Sequence, residues 1–303
     1  TFLAIVLGTL AGSWLVNVGV DNLQMGVGID HIGQKVYLPL GLVVVAILGV
    51  LAALKQPESV SGEPALKVNP RFWESTGQIV GSIKGRRDMW LTVLAISWFW
   101  AMGGILITQI PMLCSNVMKA TPGVNTFLVT MFALGVGVGS IGVQSLLKGQ
   151  ISVRLVPVSA AALSVFMLLL ALCVWRLPVN GSEAGQVNLD VFLNNWVYLR
   201  LGFCCLLVSI AGGIFVVPLN AYLQHRAEAH ERSRVIAANN IMNALFICLG
   251  SLIVILMTKM GFGLHHVFLF VALTAVVVTV MTLYFLPAEG IRILARLLLQ
   301  IIY

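Results

Sequence analysis

Seven polar side chains fall inside long apolar stretches of this chain: Thr108, Gln109, Arg200, Asn220, Asn239, Asn240 and Asn243. Such groups are tolerated within a membrane span only where neighbouring helices or a wet cavity satisfy them. They therefore point to ligand binding inside a helical bundle or to interhelical hydrogen bonds that pack it. The densest of these stretches runs from Ala211 to Gln224 and ends in the charged run His225 to Arg234. Gly212 and Gly213 permit close packing there, and Pro218 removes a backbone hydrogen bond and is expected to kink the helix just before Asn220. Asn239 and Asn243 are one helical turn apart and share a face with Gly250.

No catalytic centre is visible among these residues. Residues 137–142 spell G-x-G-x-x-G, but the dinucleotide fingerprint needs a preceding strand, and here the glycines lie within an apolar run. Gly135, Gly137, Gly139 and Gly142 read instead as a close-packing helix surface. His265 and His266 are adjacent, without carboxylate or cysteine partners, and read as a loop end rather than a metal site. Cys114, Cys173, Cys204, Cys205 and Cys248 lack metal-like spacing and read as small apolar residues, with no disulfide framework. No cofactor is expected.

The elements that must position these groups follow from composition. Of 303 residues, 59% are hydrophobic and 10% charged, which no water-soluble globular domain needs. The runs reach membrane length and lack strand alternation, so the expected class is all-α: a polytopic bundle rather than a barrel. Eight spans are expected, at about Phe2–Val20, Val36–Leu54, Met89–Leu113, Asn125–Leu147, Leu155–Trp175, Trp196–Leu223, Val235–Met257 and Val267–Leu286. Between the second and third lies a linker, Lys55 to Asp88. There Asn69-Pro70 opens a helix over Asn69–Lys84 whose apolar side holds Phe72, Trp73, Thr76, Ile79, Val80 and Ile83. That pattern predicts a helix lying in the membrane interface. Arg176–Asn195 reads as a polar loop.

The net charge of +7 reflects basic residues gathered on one face, not nucleic-acid binding. Lys55–Asp88, Lys148–Arg154, Gln224–Arg234 and the tail collect most of the Lys and Arg, and the positive-inside rule makes that face cytoplasmic. The chain starts at Thr1 within an apolar helix, without Met or a signal peptide, and stops at Tyr303 in an amphipathic pattern. It is expected to be a piece of a longer polypeptide.

The segment Gly212-Gly213-x-Phe215-Val216-Val217-Pro218-Leu219-Asn220-x-x-Leu223-Gln224 resembles the tenth helix of lysophospholipid transporters in the major facilitator superfamily. Ser97-Trp98-Phe99-Trp100, Gln109-x-Pro111 and Leu155-Val156-Pro157 are similar to the members of that branch fused to a glycerophospholipid acyltransferase and an acyl-carrier-protein synthetase. Gly142-x-x-x-Leu146-Leu147-Lys148-Gly149 resembles the superfamily's loop signature but lacks its acidic residue, so a gate built on that acid does not carry over. The tail from Pro287 is similar to the start of the fused acyltransferase. That enzyme's H-x-x-x-x-D is absent, since the fifth residue after His225 is His230.

The resemblance implies residues 1–54 as the last two helices of an N-terminal half. It implies 55–88 as a cytoplasmic linker, 89–287 as a six-helix C-terminal half, and 288–303 as the start of a following segment. It implies a transporter, not an enzyme, in the bacterial inner membrane, flipping lysophosphatidylethanolamine-class lipids for reacylation. Its partners would be the lysophospholipid, membrane lipids, and a fused or associated acyltransferase and acyl-acyl-carrier-protein synthetase. Asn220, Asn239, Asn240, Asn243, Gln109 and Thr108 could then bind the head group and Arg200 its phosphate, each against the alternative of bundle packing or, for Arg200, snorkelling. A transport-inactive anchor for the fused enzyme is the competing class. A drug exporter is the other transporter reading, and Ser13 stands where that group's fifth helix has proline.

Overall fold

Asparagine, proline and charged residues bound the apolar runs, and the helices end where those residues stop them. Asn195 accepts a hydrogen bond from the Val197 amide (2.9 Å) to open one long helix, and Pro122 sits in the first turn of another. The computed structural model describes Gly8 and residues 31–55, 72–148, 150–177 and 186–285. It forms two compact units, which divide between Val68 and Asn69, inside the expected linker. In the first unit the described helix is α1 (His31–Leu54), whose side chains between Leu42 and Leu54 are apolar and exposed. The expected span Phe2–Val20 and the tail from Pro287 lie outside the described residues, apart from helical Gly8.

The second unit is an all-α bundle. Its helices are α2 (Phe72–Lys84), α3 (Arg87–Met112), α4 (Pro122–Leu146), α5 (Val156–Trp175), α6 (Leu189–Asn194), α7 (Trp196–Arg226), α8 (Arg232–Lys259) and α9 (Leu264–Phe285). Six of these, α3, α4, α5, α7, α8 and α9, are long and apolar enough to cross a membrane, which makes the protein a multi-pass membrane protein. α3 continues as a π-helix over Leu113–Val117, directly after Pro111 withholds its backbone N–H. α7 is the most buried of the six and runs unbroken through Pro218.

Four pairings carry the bundle: α4 with α7, α5 with α9, α3 with α8, and α5 with α7. α4 and α7 run parallel. A Cβ on Gly135 would meet Ser209, one on Gly139 the Ile210 carbonyl, and one on Gly213 the Val136 carbonyl. Gly137 and Gly142 face open space, so the close-packing surface expected of all four glycines is confined to Gly135 and Gly139.

On α3, three consecutive residues reach three neighbours. Ser97 donates to Asn243 Oδ1 on α8 (2.9 Å), Trp98 Nε1 donates to Thr274 on α9 (3.1 Å), and the Phe99 ring lies over Gly212 of α7. Successive residues on a helix point about 100° apart, which is why one short run can do this.

Two stretches differ from expectation. α6 lies within the segment expected as a polar loop. It is capped by Asn188, whose Oδ1 accepts from the Val191 amide (2.8 Å), and it buries Phe192 in a stack on Tyr198. Six residues are too few for helical periodicity to show in sequence. The second is the expected interfacial helix. In α2, Ile83 is 1% exposed and Ile79 and Val80 pack against the core, with α2 resting on α8, so this part of its apolar face is taken up by protein.

Candidate functional site

The basic end of the bundle gathers the first turn of α3, the last turn of α7 and the loop into α8. Each carries charge because each leaves the apolar layer there. Arg86 Nη2 meets Glu231 Oε2 at 2.6 Å, joining the starts of α3 and α8. The Arg86 guanidinium holds the Glu231 carboxyl below the usual carboxylate range. About 17 Å further along the same parallel pair, Ser97 and Asn243 form the second polar contact. Beyond it Gly250 packs on Ala101 and Ile105.

On another side of α3 lies a cavity of about 380 Å³. Its wall is apolar, with Leu91, Leu94, Trp98, Leu219, Phe246 and Met281 among its lining. Its polar lining comes from Asp88, Thr92, Tyr222 and Thr282. Asp88 Oδ2 accepts from Arg226 Nη2 (2.8 Å), Arg226 Nε (3.0 Å) and the Tyr222 hydroxyl (3.1 Å). Trp98 forms part of the wall, with its ring edge-on to Phe215 at 6.0 Å. The arrangement is an apolar pocket with a carboxylate and a phenol in its lining and a guanidinium bound to them. Such a pocket fits an amphiphile, apolar at one end and charged at the other.

None of the seven polar residues expected to bind a head group lines this cavity. Asn220 is half-buried, and its Nδ2 donates to its own Val216 carbonyl (3.0 Å). Asn243 is buried against Ser97, and Asn239 is buried one turn away with its Oδ1 unpartnered. Asn240 is exposed, as is Arg200 near the start of α7. Thr108 bonds to the Gly104 and Ile105 carbonyls, and Gln109 Nε2 reaches Thr108 Oγ1 at 3.4 Å. Thr108 and Gln109 sit about 30 Å along α3 from Asp88, so no single head group spans both. The structure thus holds Asn239 and Asn243 one turn apart in the buried part of α8, with Asn243 bonded to α3, and leaves Asn220, Arg200 and the Thr108–Gln109 pair apart.

Gly212 and Gly213 both lie at close approaches, on Phe99 and on the α4 backbone respectively. His265 and His266 begin α9, with the His265 ring 4.8 Å from that of Trp175. Among the described residues no group of three or more His, Cys, Asp or Glu is placed to hold a metal ion.

Sequence reasoning missed Asp88, Tyr222 and Arg226. All three sit at span ends, where charge reads as loop and as orientation signal. Tyr222 and Arg226, one helical turn apart on α7, were the available signal.

Residues 1–251 match the family model described as Major Facilitator Superfamily. No curated protein and no solved structure matches the chain.

Proposed function

The chain belongs to the Major Facilitator Superfamily, a family of secondary membrane transporters, and we propose that its substrate is a single-chain zwitterionic phospholipid of the lysophosphatidylethanolamine class. The observation that supports this most is the cavity on α3. Its apolar wall suits one acyl chain, and its lining presents a carboxylate bound to a guanidinium where a charged head would sit. A hydrophobic wall with a few placed polar groups is the usual form of a small-ligand site, and its volume falls in the usual range of about 300–1,000 Å³.

On this reading the basic end is cytoplasmic, and the lipid moves toward it within the bacterial inner membrane. The product would be reacylated by an acyltransferase and an acyl-acyl-carrier-protein synthetase, fused to the chain or associated with it.

The test is transbilayer movement in proteoliposomes containing the full-length polypeptide. A lysophosphatidylethanolamine labelled on its acyl chain is expected to become inaccessible to extraction by external albumin faster than in protein-free vesicles. Trp98→Ala is expected to slow it. Equal rates with and without protein would overturn the proposal, and movement of a single-chain cation in its place would favour an exporter of amphipathic cations.

A further inference from the structure

The Asp88–Arg226 contact has an unusual setting for an ion pair. Its carboxylate lines an apolar cavity, yet the two side chains remain 40% and 55% exposed. Two hydrogen bonds from Arg226 and one from Tyr222 converge on one atom, Asp88 Oδ2. Exposed pairs of this kind carry little net stability, so their partners can be exchanged at small cost. A guanidinium that offers Nε and Nη2 side by side fits a phosphate as well as a carboxylate.

Resting on the lipid reading of the cavity, we propose that this pair is the head-group reader, and that it opens by exchange. The phosphate of the substrate takes the Nε–Nη2 edge of Arg226. The ammonium of the substrate takes Asp88, with Tyr222 retained on the carboxylate. A zwitterionic head satisfies both partners at once. A purely anionic head leaves Asp88 without its cation, and a purely cationic head leaves Arg226 without its anion. Once the acyl chain fills the pocket and keeps water from the pair, a partner left without its counter-charge is penalised. Selection therefore follows from the pair's two charges and not from the shape of the head.

The neighbouring pair Arg86–Glu231 makes a matched control. It joins α3 to α8 at the same end of the bundle but does not line the cavity.

The experiment measures displacement of a fluorescent lysophosphatidylethanolamine from the full-length protein in lipid nanodiscs. The competitors share one acyl chain and carry three heads: phosphoethanolamine, phosphoglycerol and trimethylammonium. Wild type is expected to prefer the zwitterion. D88N is expected to shift the zwitterion-to-anion ratio toward the anion by about tenfold, and R226Q to shift the zwitterion-to-cation ratio toward the cation by a similar factor. D88E is expected to retain the wild-type order, which separates charge from misfolding, and E231Q to leave both ratios unchanged. Wild-type ratios in folded D88N and R226Q would overturn the inference while leaving the lipid reading intact, as would equal binding of all three heads by wild type. Binding of none of them by wild type would overturn the lipid reading and this inference with it.

Discussion

The two parallel helix pairs of the bundle are built in opposite ways. α4 and α7 meet at close approach, Gly139 and Gly213 against the facing backbone and Gly135 against Ser209. α3 and α8 meet through replaceable polar contacts, Arg86–Glu231 at one end and Ser97–Asn243 further in. Close packing of small residues gives a seam that fits one register only. Polar contacts can be broken and remade with water or ligand at modest cost. The first seam is therefore suited to stay fixed, and the second to rearrange, within one six-helix unit.

Adding bulk to the fixed seam should give the largest effect. Gly139→Val and Gly213→Val would drive a side chain into the Ile210 and Val136 carbonyls. Overpacking of this kind destabilises by about 1–3 kcal/mol or more, read as a fall in melting temperature and in folded yield. Gly137→Ala, which faces open space, is the control and should leave both unchanged. Equal losses at Gly137 and Gly139 would erase the distinction between the seams.

Breaking the polar seam should have a smaller effect. Asn243→Leu removes the bond from Ser97 and is expected to lower stability by about 0.6 kcal/mol, the average for an interhelical hydrogen bond in a membrane bundle. A loss as large as that of Gly139→Val would mean that the α3–α8 seam is as rigid as the other.

The ion pair at the end of that seam adds a pH dependence. The Glu231 carboxyl is held below its ordinary value of 4.5 by Arg86. Its contribution is fully present above that value and is lost as pH falls through the lower folded-state value. A melting temperature that declines below about pH 4.5, with less decline in Glu231→Gln, is the expected result. Identical acid profiles for the two proteins would remove Glu231 from the seam.

The smallest stability effect is expected at Asn220. Its amide bonds only to the carbonyl one turn back, so Asn220→Leu should leave melting nearly unchanged. A marked loss of lysophospholipid flux with normal melting would add Asn220 to the transport path; reduced melting with normal flux would give it a packing role.

Much of this division was legible in sequence. A run of membrane length fixes a span, and Asn243 and Gly250, two of the three residues expected to share a face, both meet α3. The glycine stripe was visible, but not which glycines use it, because that depends on how α7 is rotated against α4. The cavity was invisible for a different reason. Asp88 and Arg226 are 138 positions apart, and each carries a charge typical of a span end. Only the antiparallel run of α3 against α7 makes them partners.

Ser97, Trp98 and Phe99 also limit how α3 can move. A rod keyed at one level to three neighbours has lost its freedom to spin, since any turn about its own axis would unseat all three keys together. Tilting pivots about that level and leaves the keys engaged. Displacement then grows with distance from the pivot and is greatest at the two tips, where Asp88 sits at one and the π-helical turn after Pro111 at the other.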